Sequence, residues 1–237
     1  VNGRDTTERA LAVHRLLNAQ RPVPVQPLPL SRHIALPDVR PPKTGLVAAL
    51  ARRHSAYEYD DGDLELPALS ALLRFSMGVQ RFVPAYGVEE YPLSMAPSAG
   101  GLDILRAYAV VRRVTGLDQG VYRYEPVSHE LVQLAETDPG PQLEQVYLQE
   151  EFAWQPAVTV AVTARLDVAF DKYPLRHYRT LHVDSGVAVQ NLYLVGTALG
   201  LAGCAVAGFD DAALGTLLGL PENEIPTMLF PTGRPPA

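Results

Sequence analysis

The sequence predicts an α+β fold. Helical and strand-like apolar periodicities both occur along one chain of 237 residues. The strand-like runs cluster mid-chain, and they do not alternate regularly with helices as a parallel βαβ sheet requires. Two of them, Val121–Tyr124 and Glu130–Leu134, are joined by a short polar turn and read as a hairpin.

The first 45 residues differ from the rest. Asp5-Thr6-Thr7-Glu8 has the pattern of a capping box, and Leu11, Leu16 and Leu17 suggest a short amphipathic helix behind it. From Arg21 to Pro42 come prolines at 22, 24, 27, 29, 37, 41 and 42. Each fixes φ and removes a donor, so the stretch is expected to be extended. Its interleaved Val23, Val25, Leu28, Leu30, Ile34 and Leu36 favour an arm laid over a surface, such as a partner subunit's, over a free linker. Residues 1–45 therefore read as helix and arm, and residues 46–237 as one domain.

Within that domain Gly45–Arg53 reads as a helix, and Pro67–Phe75 as another with proline in its first turn. Arg106–Val114 is a β-branched strand, and Ala157–Ala164 alternates apolar and small polar residues like a strand buried on one face. A long helix spans roughly Arg176 to Leu199, with Leu181, Ala188, Leu192, Val195 and Leu199 near a 3.6 period and Gly200 ending it. Ala202–Ala207 reads as a strand, Asp210–Leu218 as a helix capped by Asp210 or Asp211, and Thr227–Pro231 as a last strand.

A formal charge of −6 argues against a nucleic-acid partner, and no basic block suits an anionic membrane surface. No apolar run approaches the roughly 20 residues that span a bilayer. No signal-peptide pattern opens the chain, and Cys204 is the sole cysteine, so a reducing cytoplasm is the expected setting. The six histidines lack helical metal-ligand spacing, and no metal site is expected.

Four segments offer chemistry, and each has a bland reading beside it. Arg52-Arg53-His54-Ser55 places two guanidiniums and a hydroxyl where they could take a phosphate, or it is a solvated basic helix end. Pro97-Ser98-Ala99-Gly100-Gly101 is a turn of small residues that lets backbone amides approach a flat ligand, although a lone glycine-rich turn is weakly specific. Lys172-Tyr173 adjoin on an expected loop, with Arg176, His177 and Arg179 close behind. A lysine crowded by cations can have its pKa lowered and act as a base; the alternative is a polar approach to the long helix. Ala205-Val206-Ala207-Gly208 is a small-residue stretch that could lie along an aromatic ring system, with Cys204 before it as a buried small hydrophobe.

Taken in order, "RRHS", "PSAGGLDILRAYAVV", "LDQGVYRYEPVSHEL", "DKYPLRHYR", "VDSGVAVQNLYLVGTALGL" and "GCAVAGFDDAALGTLLGL" resemble the SagB/ThcOx-type dehydrogenases of the nitroreductase superfamily, over nearly all of residues 45–234. The resemblance implies an α+β fold with a central, mostly antiparallel sheet flanked by helices, in an intertwined homodimer with FMN at each of two interfaces. It assigns Arg53 and Ser55, with Arg52, to the FMN phosphate and ribityl. Pro97, Ser98, Ala99 and Gly100 would form the partner-chain turn at the isoalloxazine. Ala205, Val206, Ala207 and Gly208 would lie on the ring's other side. Arg234 would stand in for a later basic phosphate contact. Lys172 and Tyr173 match the pair that abstracts a proton when an azoline is oxidised.

Two departures from simple nitroreductases point the same way. Gly101-Leu102-Asp103-Ile104 stands where they continue with Asn and Gln-Pro, and Ala207 stands where they place Glu. The activity implied is oxidation of a thiazoline or oxazoline ring, on a peptide or a carrier-bound intermediate, to the azole. A base takes the ring proton next to the carbonyl, the adjacent carbon gives up a hydride, and O₂ is the final acceptor. A cyclodehydratase or a nonribosomal assembly line is then the expected partner. The alternatives are an NAD(P)H-dependent nitro or quinone reductase and a non-catalytic flavin-binding scaffold.

Overall fold

Strands rich in Val and Ala at the middle of the chain form the centre of one seven-stranded sheet. The computed structural model describes residues 32–236; the expected helix after Asp5 and the first part of the proline arm lie outside them. The sheet strands are β1 (His33–Ala35), β5 (Leu105–Val111), β7 (Gly120–Glu125), β8 (Glu130–Glu136), β9 (Val158–Arg165), β10 (Ala202–Gly203) and β11 (Glu224–Gly233). Their spatial order is β1-β8-β7-β5-β9-β11-β10, with every neighbouring pair antiparallel. Two short pairs stand apart: β2 (Leu64–Glu65) with β6 (Val114–Thr115), and β3 (Val79–Ala85) with β4 (Val88–Ser94).

The sheet is buried on both faces. Along β5, Ala107, Ala109 and Val111 enter one core while Tyr108 and Val110 enter the other. The first core is closed by α2 (Leu66–Met77) and α6 (Tyr178–Leu199), through Leu69, Leu72 and Leu73 against Ala188, Val189 and Leu192. The second is closed by α3 (Gly140–Val146), α4 (Glu151–Trp154) and α7 (Asp211–Leu218). Two further helices lie among the described residues: α1 (Leu46–Arg52) and α5 (Leu166–Lys172).

Burial on two faces corrects the one-sided reading of β9. Its small polar residues are inside as well, each with a partner: Thr159 Oγ1 lies 2.9 Å from the Tyr147 hydroxyl, and Thr163 Oγ1 donates to Glu224 at 2.5 Å. Pairing offsets most of the cost of burying a hydroxyl. The strand expected at Ala202–Ala207 is shorter than its composition suggests. Its neighbour β11 carries Pro231, which can accept from Cys204 N–H (3.2 Å) but has no N–H to return, so the ladder stops at Gly203 and resumes only at the Val206–Leu229 bridge.

Several helix ends match the sequence closely. Pro67 lies in the first turn of α2, Gly200 ends α6 at φ +75°, and Asp210 caps α7 by accepting from Ala213 N–H at 2.8 Å. The long helix begins two residues later than expected, because Pro174 starts a separate turn of 3₁₀ helix over Leu175–His177. The described end of the proline arm pairs with its own chain: His33, Ile34 and Ala35 lie opposite Val132, Leu131 and Glu130. Buried Leu36 follows.

Candidate functional site

The sequence-selected residues gather in two clusters, both anchored on α6. The first lies at the end of α1. Arg52 is that helix's last residue and Arg53 its cap. The Arg53 guanidinium lies over the Tyr193 ring, 5.1 Å from its centroid. The Tyr193 hydroxyl lies 2.8 Å from Ser55 Oγ and accepts from Ala205 N–H at 2.7 Å. One tyrosine of α6 therefore ties the Arg-Arg-His-Ser segment to the stretch that follows β10. Tyr193 carries no signal in the sequence, since a tyrosine within an amphipathic helix looks like core.

Beside this knot is a cavity of about 240 Å³, lined by Arg52, His54, Tyr193, Gly196, Gly200 and Gly203 among others. A Cβ at Gly200 would meet nothing within 4 Å, so the floor is open. Cationic donors beside a cavity floored with glycine suit a ligand that carries a phosphate on a flat or extended body. Cys204 is buried. Val206 is buried too, whereas Ala207 and Gly208 are exposed beyond the cluster. Arg234 is not drawn into this group. Its Nε sits 3.6 Å from Asp60 Oδ1, and the neighbouring Pro235 and Pro236 line the cavity in its place.

The second cluster surrounds Gly100. The turn is pinned to α6 by Ala99 N–H, which donates to Asp184 Oδ2 at 2.9 Å, and closed by Ser98 Oγ donating to the Leu102 carbonyl at 2.7 Å. Burial pushes the Asp184 carboxyl above the usual carboxylate range, with the Ala99 N–H and His177 opposing. Pro97 is exposed at the turn's start. A Cβ placed on Gly100 would touch the Tyr173 hydroxyl and lie 3.1 Å from Lys172 Nζ. Lys172-Tyr173 and the glycine-rich turn, some seventy residues apart in sequence, therefore meet at one point.

Lys172 is the last residue of α5 and Tyr173 its cap, so the pair sits on a helix end and not on the expected loop. Its surroundings also differ from expectation. Lys172 Nζ donates to the Tyr86 hydroxyl at 2.7 Å and lies 4.5 Å and 5.2 Å from the ring centroids of Tyr86 and Tyr173. Accepting phenol oxygens, Tyr86 first and then Tyr173, stabilise the ammonium more than burial opposes it, and its pKa is raised. The lowering anticipated from neighbouring cations is thereby reversed. His177 stacks on Tyr173 at 4.2 Å; burial lowers its pKa, and its Nε2 is buried without a partner among the described residues. A smaller cavity of about 110 Å³ adjoins the turn, with Ser98, Gly101, Leu102, Pro92, Leu105 and Val127 in its wall.

Asp184 and Tyr193 are nine residues apart on α6. At about 1.5 Å and 100° per residue, their anchor points are separated by roughly 13 Å and face opposite sides of the helix. Within one chain the two clusters therefore look away from each other.

Comparison with known proteins agrees with this architecture. Residues 50–234 match the Nitroreductase family. A protein of Methanocaldococcus jannaschii that bears a nitroreductase name, MJ1384, is 33% identical over 202 residues, which is 85% of this chain and 96% of its own. A nitroreductase-type crystal structure from Anabaena variabilis is 26% identical with a TM-score of 0.72; it covers 87% of this chain, which spans only 42% of that longer one. A structure of the same type from Ralstonia eutropha, 24% identical with a TM-score of 0.71, covers 91% of this chain and 98% of its own. A chain of the E. coli microcin synthetase McbBCD complex, solved with truncated pro-MccB17 bound, has the same fold at 16% identity, with a TM-score of 0.65 over 99% of this chain and 94% of that one. The antiparallel sheet between two helical layers, the matched span of residues 50–234 and the one-third identity to the archaeal protein together make this chain a member of the nitroreductase family.

Proposed function

We propose that the protein is an FMN-dependent oxidase of thiazoline or oxazoline rings carried on a peptide or a carrier protein, acting as a homodimer. The observation that supports this most is the convergence of Lys172, Tyr173 and Gly100 at one point. A proton acceptor beside a turn that admits a flat ligand is what azoline oxidation requires. FMN, when bound, supplies the acceptance of two electrons, and molecular oxygen is the final oxidant.

In this reading Arg52, Arg53 and Ser55 bind the phosphate and ribityl, and the 240 Å³ cavity beside them admits part of the cofactor. Guanidiniums and a hydroxyl suit the phosphate; Ala205, tied to Tyr193, begins the stretch whose exposed end, Ala207 and Gly208, would meet the flat ring. Arg234, committed to Asp60, contributes through the placement of Pro235 and Pro236 and not by direct charge. The turn from Pro97 to Gly100 closes the partner subunit's site, because the two clusters of one chain face apart. The Lys172 amine takes the ring proton next to the substrate's carbonyl. Lys172 must first lose its own proton, so turnover rises with pH across the alkaline range. Tyr173 bounds the acceptor and orients it. The smaller cavity receives a side chain flanking the ring.

The fold shared with the microcin synthetase chain is compatible with a substrate peptide and a cyclodehydratase partner. The archaeal relative's name favours a second reading, an NAD(P)H-dependent reductase of nitro or quinone compounds. Incubation of the FMN-loaded protein with a thiazoline-containing peptide in air separates them. The expected product is the thiazole peptide, lighter by two hydrogens, without added NAD(P)H. An unchanged peptide together with rapid NAD(P)H-driven nitroarene reduction would favour the second reading.

A further inference from the structure

The residue that touches Lys172 most closely lies on neither of the segments from which the proton-accepting pair was selected. It is Tyr86, at the tip of the β3–β4 hairpin. The two-residue connection Tyr86-Gly87 has φ +53° and φ +76°, the left-handed pair of a type I′ turn. Asparagine or aspartate usually takes the first of these places, because a short polar side chain tolerates the left-handed region. A bulky aromatic there is uncommon, and such outliers cluster at working sites. The hairpin does not bury Tyr86, which is half-exposed, so packing does not explain the choice.

The contacts of its hydroxyl do explain it. The oxygen accepts from Lys172 Nζ at 2.7 Å while its proton is donated to the Gly100 carbonyl. The ring lies under the same ammonium and is met edge-on by Tyr91 at 5.0 Å, which fixes its orientation. We propose that Tyr86 is a positioning residue of the Lys172 proton site, a hydroxyl that links the lysine to the Gly100 carbonyl and so sets where the amine stands and how readily it gives up its proton. This rests on the reading of Lys172 as the proton acceptor. The raised proton affinity of Lys172, whose largest cause is the bond to Tyr86, agrees with it. The hairpin tip thereby acts as a brace. It keeps Nζ beside the turn, in its protonated form, until alkaline solvent draws the proton away.

The test reads the lysine itself. The FMN-loaded protein is treated with a limiting acylating reagent across a series of pH values, and modification at Lys172 is followed by mass spectrometry in wild type, Tyr86→Phe and Tyr173→Phe. Tyr86→Phe keeps the ring and removes only the hydroxyl. The expected result is a midpoint of Lys172 reactivity displaced to lower pH, seen as a rate at pH 9 raised roughly threefold or more, with a smaller displacement in Tyr173→Phe. A wild-type midpoint in Tyr86→Phe overturns the proposal, as does a rate raised by one factor at every pH, which would mean loss of shielding alone. Should Tyr86→Phe fold poorly by circular dichroism, Gly87→Pro, which disrupts the turn while keeping the hydroxyl, must give the same downward displacement or the proposal fails. Azoline turnover is measured in parallel. A displaced midpoint with no turnover in the wild type upholds Tyr86 while removing the azoline reading.

Discussion

At Gly100 the backbone takes φ +68°, and the space where a Cβ would stand is bounded by the Tyr173 hydroxyl, by Lys172 Nζ at 3.1 Å and by the Tyr86 hydroxyl at 3.3 Å. Gly100→Ala should therefore act twice. The left-handed backbone costs about 1–2 kcal/mol with any other residue, and that lowers Tm by roughly 2–8 °C in a chain of this size. The methyl group also displaces the three polar groups, so turnover should fall by at least about tenfold, a part of the roughly 10²-fold or more that a general base contributes, and by more than FMN affinity falls. Thermal melts and flavin titration beside the turnover assay check this. Equal stability and equal activity would mean that the three polar groups yield freely.

These neighbours also show what a sequence can reveal at this scale. Lys172 and Tyr173 could be singled out because they adjoin, and their role as a pair is what the resemblance implies. Tyr86 was not, because 86 positions separate it from Lys172 and only the fold closes that distance. The Tyr-Gly pair was its one local signal. Pro84 and Pro92 obscured it by demoting the flanking runs as strands. They are tolerated because β3 and β4 form a sheet of two, in which each strand has a free edge.

Among the elements, α1 presents an exposed apolar face at which the proposed dimer can be tested. Leu46, Val47 and Leu50 are 65%, 78% and 50% exposed on a helix of seven residues. The same helix carries Arg52 at its end, so a second subunit covering the apolar face would also stand beside the phosphate donors. Val47→Asp puts a charge on that face without touching the core. The expected outcome is a shift from dimer to monomer in sedimentation velocity, with little loss of secondary structure and a parallel loss of FMN uptake. A dimer that persists with normal FMN binding would place the interface elsewhere. The helices bearing regular apolar stripes, α2 and α6, were readable from sequence for the reason that α1 stands out: each stripe meets a core. Of the short helices, α1 was read and α3, α4 and α5 were not, since four to seven residues barely define a 3.6 period. The strand at His33–Ala35 escaped because the prolines around it mask a three-residue pairing on β8.

Over the whole molecule, the sheet and α6 divide the labour. The antiparallel order buries both faces and leaves one long helix as a rod, with Asp184 holding the Gly100 turn on one side and Tyr193 holding Ser55 and Ala205 on the other. That division explains why the ordered motifs implied the fold so well while their joint geometry stayed hidden: each motif is local, and the rod that spaces them is read only in three dimensions. It also sets Lys172 and Tyr173 apart from Arg53 and Ser55, so that either group can be altered by mutation without the other. The most direct measurement is single-turnover bleaching of the flavin by a thiazoline peptide under anaerobic conditions, as a function of pH, in wild type, Lys172→Ala and Tyr173→Phe. All three are expected to bind FMN alike; the wild-type rate should climb with pH as Lys172 loses its proton, and Lys172→Ala should slow bleaching by roughly 10²- to 10⁴-fold and abolish the climb. Lys172→Ala protein that binds FMN normally and bleaches at the wild-type rate with the same pH profile would contradict it.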